Sequence, residues 1–306
     1  MPRHDPPRIA TAPATAGWID DAVRAGGGEV VAPEDATAVV WTHPDDADGL
    51  RALLAASPQV DWVQLPWAGI EPYVGLLHDG RTWSCAKGVY ADPVAEHALA
   101  MLLAGFRNLH RYSAATTWTD QAGRNLLGAK VTIFGGGGIA ESLIGLLAPF
   151  HCDVTVVRRR PEPVPGARRV LGPDDRAGAL AGADAVVLAL PLLPDTVGLI
   201  GPDELDQMED HAWLVNVARG GHVQTDALVA ALRAGRIGGA ALDVTDPEPL
   251  PDGHPLWDLP NVLITPHTGN TKAMARPLLG TRIAENVRRY ATGEPFIGLV
   301  DPDLGY

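Results

Sequence analysis

The sequence predicts an α/β protein of two domains, each a parallel sheet flanked by helices, and three observations carry that expectation. A strand-like run, Lys130-Val131-Thr132-Ile133-Phe134, leads into four consecutive glycines and then into a helical stretch over 140–147. Short apolar runs alternate with amphipathic helical patterns along nearly the whole chain, as βα units feeding parallel strands require. At 306 residues the chain is long enough to build two cores.

In the first domain strands are expected at 8–12, 29–32, 36–41 and 61–65, with helices at 18–25 and 47–56 between them. Beyond the fourth strand lies Pro66-Trp67-Ala68-Gly69-Ile70-Glu71. Ligands of open α/β sheets bind beyond the carboxyl ends of strands. The amides of Ala68, Gly69 and Ile70 can therefore receive a carboxylate, with Trp67 as a wall, although a plain strand-to-helix turn accounts for the same residues. A long helix over 92–110, with Pro93 in its first turn and apolar residues at Val94, Ala98, Met101, Leu102, Leu103 and Phe106, joins the two domains. Its His97 and His110 read as packing or surface residues.

The glycine stretch Gly135-Gly136-Gly137-Gly138-Ile139-Ala140 fits G-x-G-x-x-G/A. Gly135 takes the tight turn, Gly137 lets the backbone approach a pyrophosphate, and Ala140 permits close helix-strand packing. The amides at the helix start, Gly138 and Ile139 among them, would hold the phosphates. Where the second strand ends, an acidic residue would bind the ribose 2′-hydroxyl of NAD; Arg158 stands there, followed by Arg159 and Arg160. Arginine accommodates a 2′-phosphate, and a planar guanidinium can stack on adenine. This Rossmann-type reading expects NADP(H) in preference, with NAD(H) possible; a solvated basic strand end is the alternative.

A connection over 164–172 and a helix over 174–180 come next. Strands at 183–190, 213–217, 238–244 and 261–265 alternate with helices at 202–208 and 225–234, giving a six-strand doubly wound series. From 270 to about 292 the pattern is helical, with Pro277 as a start or kink. The Gly/Pro-rich tail can return to the first domain. The expected division is 1–91 with 271–306 as a substrate domain, and 92–270 as a dinucleotide-binding domain.

Three loops after core strands carry complementary polar groups: Asn216-Val217-Ala218-Arg219-Gly220-Gly221, the 242–250 segment with Asp243 and Glu248, and Thr265-Pro266-His267-Thr268-Gly269. A guanidinium, a carboxylate and an imidazole at strand ends suit hydride transfer to a 2-oxo acid. Arg219 can bind the carboxylate and polarise the ketone. His267 can deliver the proton, and Glu248, paired to the other ring nitrogen, would fix its tautomer. Singly, each has an ordinary reading as surface cation, turn carboxylate or core histidine. His222 and His254 are rival donors, but neither follows an expected core strand.

With these motifs in hand, the sequence resembles the D-isomer-specific 2-hydroxyacid dehydrogenase family. The resemblance implies catalytic Arg219, Glu248 and His267 and a substrate loop at Ala68-Gly69; with Trp67 as the wall beside it, that loop is expected to act with Arg219 and His267 on the substrate. It also implies a domain-crossing helix start at Val94-Ala95-Glu96, a cofactor-contacting Pro191-Leu192 and a carboxamide-holding Asp243. The expected cofactor set is Gly135, Gly137, Gly138, Ile139, Ala140, Arg158, Arg159, Pro191, Val217, Asp243 and Gly269, with a smaller flavodoxin-like domain beside the Rossmann-type one. The spacing from Glu248 to His267 is similar to that of glyoxylate/hydroxypyruvate reductases. Ala140 in place of the third glycine, the bare Gly136 and Gly138, and His151 where glycine is common are departures that bear on cofactor affinity. The resemblance further implies a homodimer built through the nucleotide domain and the 92–110 helix. A nucleotide-sensing corepressor-like scaffold of the same fold is the alternative from another class.

Composition narrows the field further. Hydrophobic content of 46% and charged content of 20% suit a globular protein. The net charge of −13 argues against a nucleic-acid surface. Cys85 and Cys152 are the only cysteines and lack metal-ligand spacing. No apolar segment approaches spanning length and no signal-like h-region opens the sequence, so a cytoplasmic protein without metal or membrane partner is expected.

Overall fold

The computed structural model describes residues 5–303. The chain divides into two compact units, Met1–Tyr90 with Thr271–Tyr306, and Ala91–Asn270.

The first unit contains β1 (Arg8–Ala12), α1 (Gly17–Ala25), β2 (Glu29–Val30), β3 (Ala38–Trp41), α2 (Ala47–Ala56), β4 (Trp62–Gln64) and β5 (Thr82–Ser84). Helix α2 starts where Asp46 accepts a hydrogen bond from Gly49 N at 2.8 Å, and it buries Leu50 and Leu54, one turn apart. The sheet runs β2-β1-β3-β4-β5, the flavodoxin-like order. Strand β5 was not expected. Three residues are too few to show a period, and tertiary pairing makes the strand: Val63 lies against Trp83 in parallel, and Leu299 bridges Ser84 from the other side. The core is rich in indole. The Trp41 indole donates to Tyr73 Oη at 3.1 Å and that of Trp62 to Ser84 Oγ at 2.9 Å, so these large apolar groups are buried with their polar atoms satisfied.

The second unit contains α3 (Ala91–Phe106), α4 (Leu109–Ser113), β6 (Lys130–Phe134), α5 (Gly138–Leu147), β7 (Asp153–Val157), β8 (Arg169–Leu171), α6 (Arg176–Leu180) and β9 (Ala185–Leu188). It continues with α7 (Pro202–Gln207), β10 (Trp213–Asn216), α8 (Thr225–Arg233), β11 (Gly239–Leu242) and β12 (Val262–Ile264). Two expectations are corrected here. The helix expected to run to 110 ends at Phe106, because Asn108 takes a left-handed φ of 52° and a separate short helix follows. The segment read as a connection over 164–172 contains β8, so the sheet has seven strands rather than six, in the order β12-β11-β10-β9-β6-β7-β8. An edge strand with one exposed and two half-buried residues carries no buried-strand pattern to read.

The chain then returns to the first unit through α9 (Lys272–Thr292), capped by Thr271, with Pro277 inside the helix rather than at its start. Past α9, Cys85 N donates to Gly298 O at 2.8 Å and Val300 N to Trp83 O at 3.0 Å. Among the described residues no helix is long and apolar enough to cross a membrane, and no group of three or more His, Cys, Asp or Glu is placed to hold a metal ion.

Candidate active site

One line of register sets the site. Phe134 pairs with Val157 and Leu188, Leu188 with Asn216, Asn216 with Leu242, and Leu242 with Ile264. Parallel strands end together, so Gly135, Arg158, the Leu190-Pro191 loop, Val217 to Arg219, Asp243 and Thr265 to Gly269 all leave the sheet along one carboxyl edge. The order reverses between β6 and β9, the switch point where ligands of such sheets bind.

Gly135 has φ +109°, and a Cβ there would meet Ala189 O at 2.1 Å, so both conformation and space require glycine. Gly137 precedes α5 and has no atom within 4 Å of a built Cβ, which leaves its outer side open. Ala140 is fully buried, matching the close packing of α5 that a small third residue allows. The Arg158 side chain lies over the loop: a Cβ on Gly136 would meet its Cδ at 2.8 Å and its Nε at 3.0 Å. Open amides at the start of a ten-residue helix, with a guanidinium beside them, fit a dinucleotide carrying phosphate. Arg159 reaches Asp195 at 3.7 Å, so its charge is shared with an acid on the neighbouring 190–196 loop.

The Arg219 turn is shaped by Asn216, whose amide donates to Arg219 O at 2.8 Å while its carbonyl accepts from Ala218 N at 3.0 Å. A Cβ on Gly220 would meet Thr245 O at 1.9 Å, so this turn packs backbone to backbone against the loop after β11. Arg219 is half-buried, and its Nη1 donates to Ala218 O at 2.8 Å.

Asp243 organises the third loop. Its backbone carbonyl accepts from His267 N at 2.9 Å. Its carboxylate accepts from Thr265 Oγ1 at 2.6 Å, Thr268 N at 2.8 Å and Gly269 N at 2.9 Å, with His97 Nε2 at 3.3 Å. Burial by itself would push this carboxyl up, but the hydrogen bonds from His97, Thr265, Thr268 and Gly269 outweigh it and hold it well below the usual carboxylate range. So gripped, the loop carries His267 at φ +52°, a left-handed geometry that histidine adopts more readily than most residues. His267 Nδ1 lies 2.7 Å from Glu248 Oε1, and both side chains are partly exposed, at 52% and 39%. With Nδ1–H donated to the carboxylate, Nε2 is the nitrogen left for a ligand.

Sequence reasoning missed three contributors. His97, read as a packing or surface residue, has Nε2 at 3.0 Å from Thr265 Oγ1 as well as facing Asp243; helical periodicity in α3 carries no trace of a partner 168 residues away. Asn216 was visible only as a loop member. His222 is buried, with its ring nitrogens 3.0 Å from Thr196 O and 3.2 Å from Leu190 O. It ties down the Pro191 loop, a role that does not suit a proton donor to substrate. His254 Nδ1 accepts from Leu256 N at 3.3 Å, capping a short helical turn. In the first unit, Trp67 is half-buried with its ring centroid 5.5 Å from that of Tyr90, Ala68 is exposed and Gly69 half-exposed.

A doubly wound sheet with an open glycine turn and an imidazole-carboxylate pair on the same edge defines a nucleotide-dependent dehydrogenase. Residues 98–269 match the family described as D-isomer specific 2-hydroxyacid dehydrogenase, NAD binding domain. The chain is 40% identical over 258 residues to an uncharacterized protein of Corynebacterium melassecola, covering 81% of this chain and 84% of that protein. It is 32% identical over 220 residues to glyoxylate/hydroxypyruvate reductase A of Serratia proteamaculans, covering 71% and 69% respectively. A solved D-isomer specific 2-hydroxyacid dehydrogenase from Xanthobacter autotrophicus Py2, in complex with NADPH and MES, superposes with a TM-score of 0.85 at 29% identity, covering 98% of this chain and all of that one. The chain belongs to the D-isomer specific 2-hydroxyacid dehydrogenase family, and it is an NAD(P)-dependent oxidoreductase.

Proposed function

We propose that the protein reduces a small 2-oxo acid, glyoxylate, hydroxypyruvate or a relative of these, to the D-2-hydroxy acid, with NADP(H) preferred over NAD(H). The observation that carries this reading is the 2.7 Å contact between His267 Nδ1 and Glu248 Oε1, which turns Nε2 outward as a proton donor. The nicotinamide, when bound, supplies the hydride to C2 of the keto acid. Protonated His267 gives its Nε2 proton to the carbonyl oxygen as negative charge develops there. Arg219 binds the carboxylate and stabilises that charge. Glu248 keeps the ring in one tautomer and offsets the imidazolium charge. Asp243 fixes the His267 loop and its carboxylate edge serves the carboxamide; Val217, Gly269 and Pro191 line the nucleotide site. Trp67, Ala68 and Gly69 offer amides and a wall to the substrate carboxylate. Arg158, lying over Gly136, favours a ribose 2′-phosphate, with Arg159 adding charge beside it. In the cell we expect a cytoplasmic homodimer without nucleic-acid or membrane partners.

A 2-oxo acid panel assayed with NADPH and with NADH tests this. Turnover with NADPH that falls by orders of magnitude in Arg219→Ala supports it. Nucleotide binding with no reduction of any keto acid would instead favour the scaffold reading, and a clear preference for NADH would remove the assignment of Arg158.

A further inference from the structure

Helix α3 buries Ala95, Ala98, Met101, Leu102 and Phe106, and His97 brings a polar ring from this apolar helix to the ends of β11 and β12. Its Nε2 lies 3.0 Å from Thr265 Oγ1 and 3.3 Å from Asp243 Oδ1. The helix also touches the end of the loop, since a Cβ on Gly269 would lie 3.6 Å from His97 Cδ2 and 3.7 Å from Val94 Cγ2. Val94 and His97 are three residues apart and stand on one face of α3. A partly buried imidazole costs desolvation free energy unless it is hydrogen-bonded, and packing alone would be served by leucine or phenylalanine.

The surrounding groups fix which nitrogen donates. Thr265 has one hydroxyl proton, and its 2.6 Å contact gives that proton to Asp243 Oδ1, so toward His97 the Thr265 oxygen can only accept. An ionised carboxylate can only accept as well. Facing two acceptors, Nε2 carries a proton whether or not Nδ1 carries another; the opposite tautomer would aim a lone pair at the carboxylate. What the site draws on is therefore the position of one N–H and not the charge of the ring.

Asp243 Oδ1 is met by Thr265, by Thr268 and by His97, and Oδ2 by Gly269 N. Thr265, Thr268 and Gly269 belong to the loop that carries His267 and move with it, whereas His97 belongs to α3. We propose that His97 is a positioning residue for the reaction: its Nε2–H, shared between Thr265 Oγ1 and Asp243 Oδ1, ties the His267 loop to helix α3. Its kinetic consequence rests on the reductase reading. Misplacing a reacting group by about 1 Å can cost about 10²-fold in rate. Slack in the 265–269 loop therefore shows in turnover before it shows in nucleotide affinity, which draws also on the glycine turn and Arg158.

Two amide substitutions isolate the position of the donor. A glutamine places its NH₂ where the histidine has Nε2, whereas an asparagine, one methylene shorter, reaches only as far as Nδ1. With NADPH and the best 2-oxo acid, His97→Gln is expected to keep at least about a third of wild-type kcat per nucleotide-binding site, while His97→Asn and His97→Phe lower it about tenfold or more. In the two impaired variants KM for NADPH should change less than about threefold, and the primary isotope effect from NADPH deuterated at the transferred position should rise. A packing role predicts the reverse order, with His97→Phe nearest to wild type. A kcat within about twofold of wild type in His97→Asn, or a loss in His97→Gln as large as in His97→Asn, overturns the proposal. Independently of turnover, the backbone amide NMR resonances of Thr265, Thr268 and Gly269 should hold their positions in His97→Gln and shift in His97→Asn, and unmoved resonances in His97→Asn overturn the proposal too. A wild-type protein that reduces no 2-oxo acid would sink the reductase reading, and these resonances would still decide whether His97 holds the loop.

Discussion

Asp243 and Glu248 sit five positions apart in one loop, and the structure gives them opposite surroundings. Asp243 is 4% exposed, and both of its oxygens are committed to backbone amides, a hydroxyl and His97. Glu248 is partly exposed and has one contact in common with catalysis, the ring of His267. A carboxylate held by this many donors fixes a loop and does not readily give up a partner. One at the surface costs little to rearrange and can follow the charge of the imidazole beside it. The loop thus separates holding the histidine from tuning it.

The sharpest way to break that division is to remove the histidine. His267→Asn is expected to lower kcat by about 10² to 10⁴-fold, the usual span of a general acid, with NADPH affinity by fluorescence titration changed less than about twofold. A loss smaller than twofold in kcat would end the assignment. Next in size, Asp243→Asn should destabilise the protein by about 3 kcal/mol in urea titration, because the amide nitrogen turns a donor toward donors and leaves buried groups unpaired. Its folded-state pKa lies below the unfolded value, so its contribution is present above about pH 4, the unfolded pKa of aspartate, and is lost as pH falls through the folded value. The stability difference between wild type and variant should therefore narrow in acid; a difference independent of pH from 7 to 2 contradicts the ionised, gripped carboxylate.

Glu248→Gln probes the exposed partner. It should cut kcat by roughly ten- to fiftyfold, well below the histidine effect, while urea stability stays within about 1 kcal/mol, as for other exposed pairs. A large stability loss with little kinetic change would make Glu248 a second Asp243. The smallest effect is at the edge of the site: Arg158→Gln should raise KM for NADPH about tenfold and leave KM for NADH nearly unchanged. Equal changes for both nucleotides would mean that Arg158 serves the fold of the glycine loop and not a 2′-phosphate.

Much of this was legible in the residues. The run into Gly135, the small Ala140 and the three polar loops after apolar strands are local patterns, and local patterns survive in sequence because backbone geometry dictates them. The grip on the 265–269 loop was not legible. Asp243 could be matched to a nicotinamide-facing position, but its bonds to Thr265, Thr268 and Gly269 depend on β11 and β12 ending side by side. His97 and His222 looked ordinary for the same reason: their partners lie across helix-sheet and loop-loop contacts with no periodic trace.

The sequence by itself determined the α/β class, the glycine turn and the kinds of chemical group at each strand end, since each follows from residues near one another in the chain. Only the tertiary structure decided the seventh strand, the fifth strand of the smaller sheet and which of the two neighbouring carboxylates holds and which faces the imidazole. Those outcomes rest on parallel register and burial, in which residues far apart in sequence compete for the same donors, and no local pattern encodes who wins.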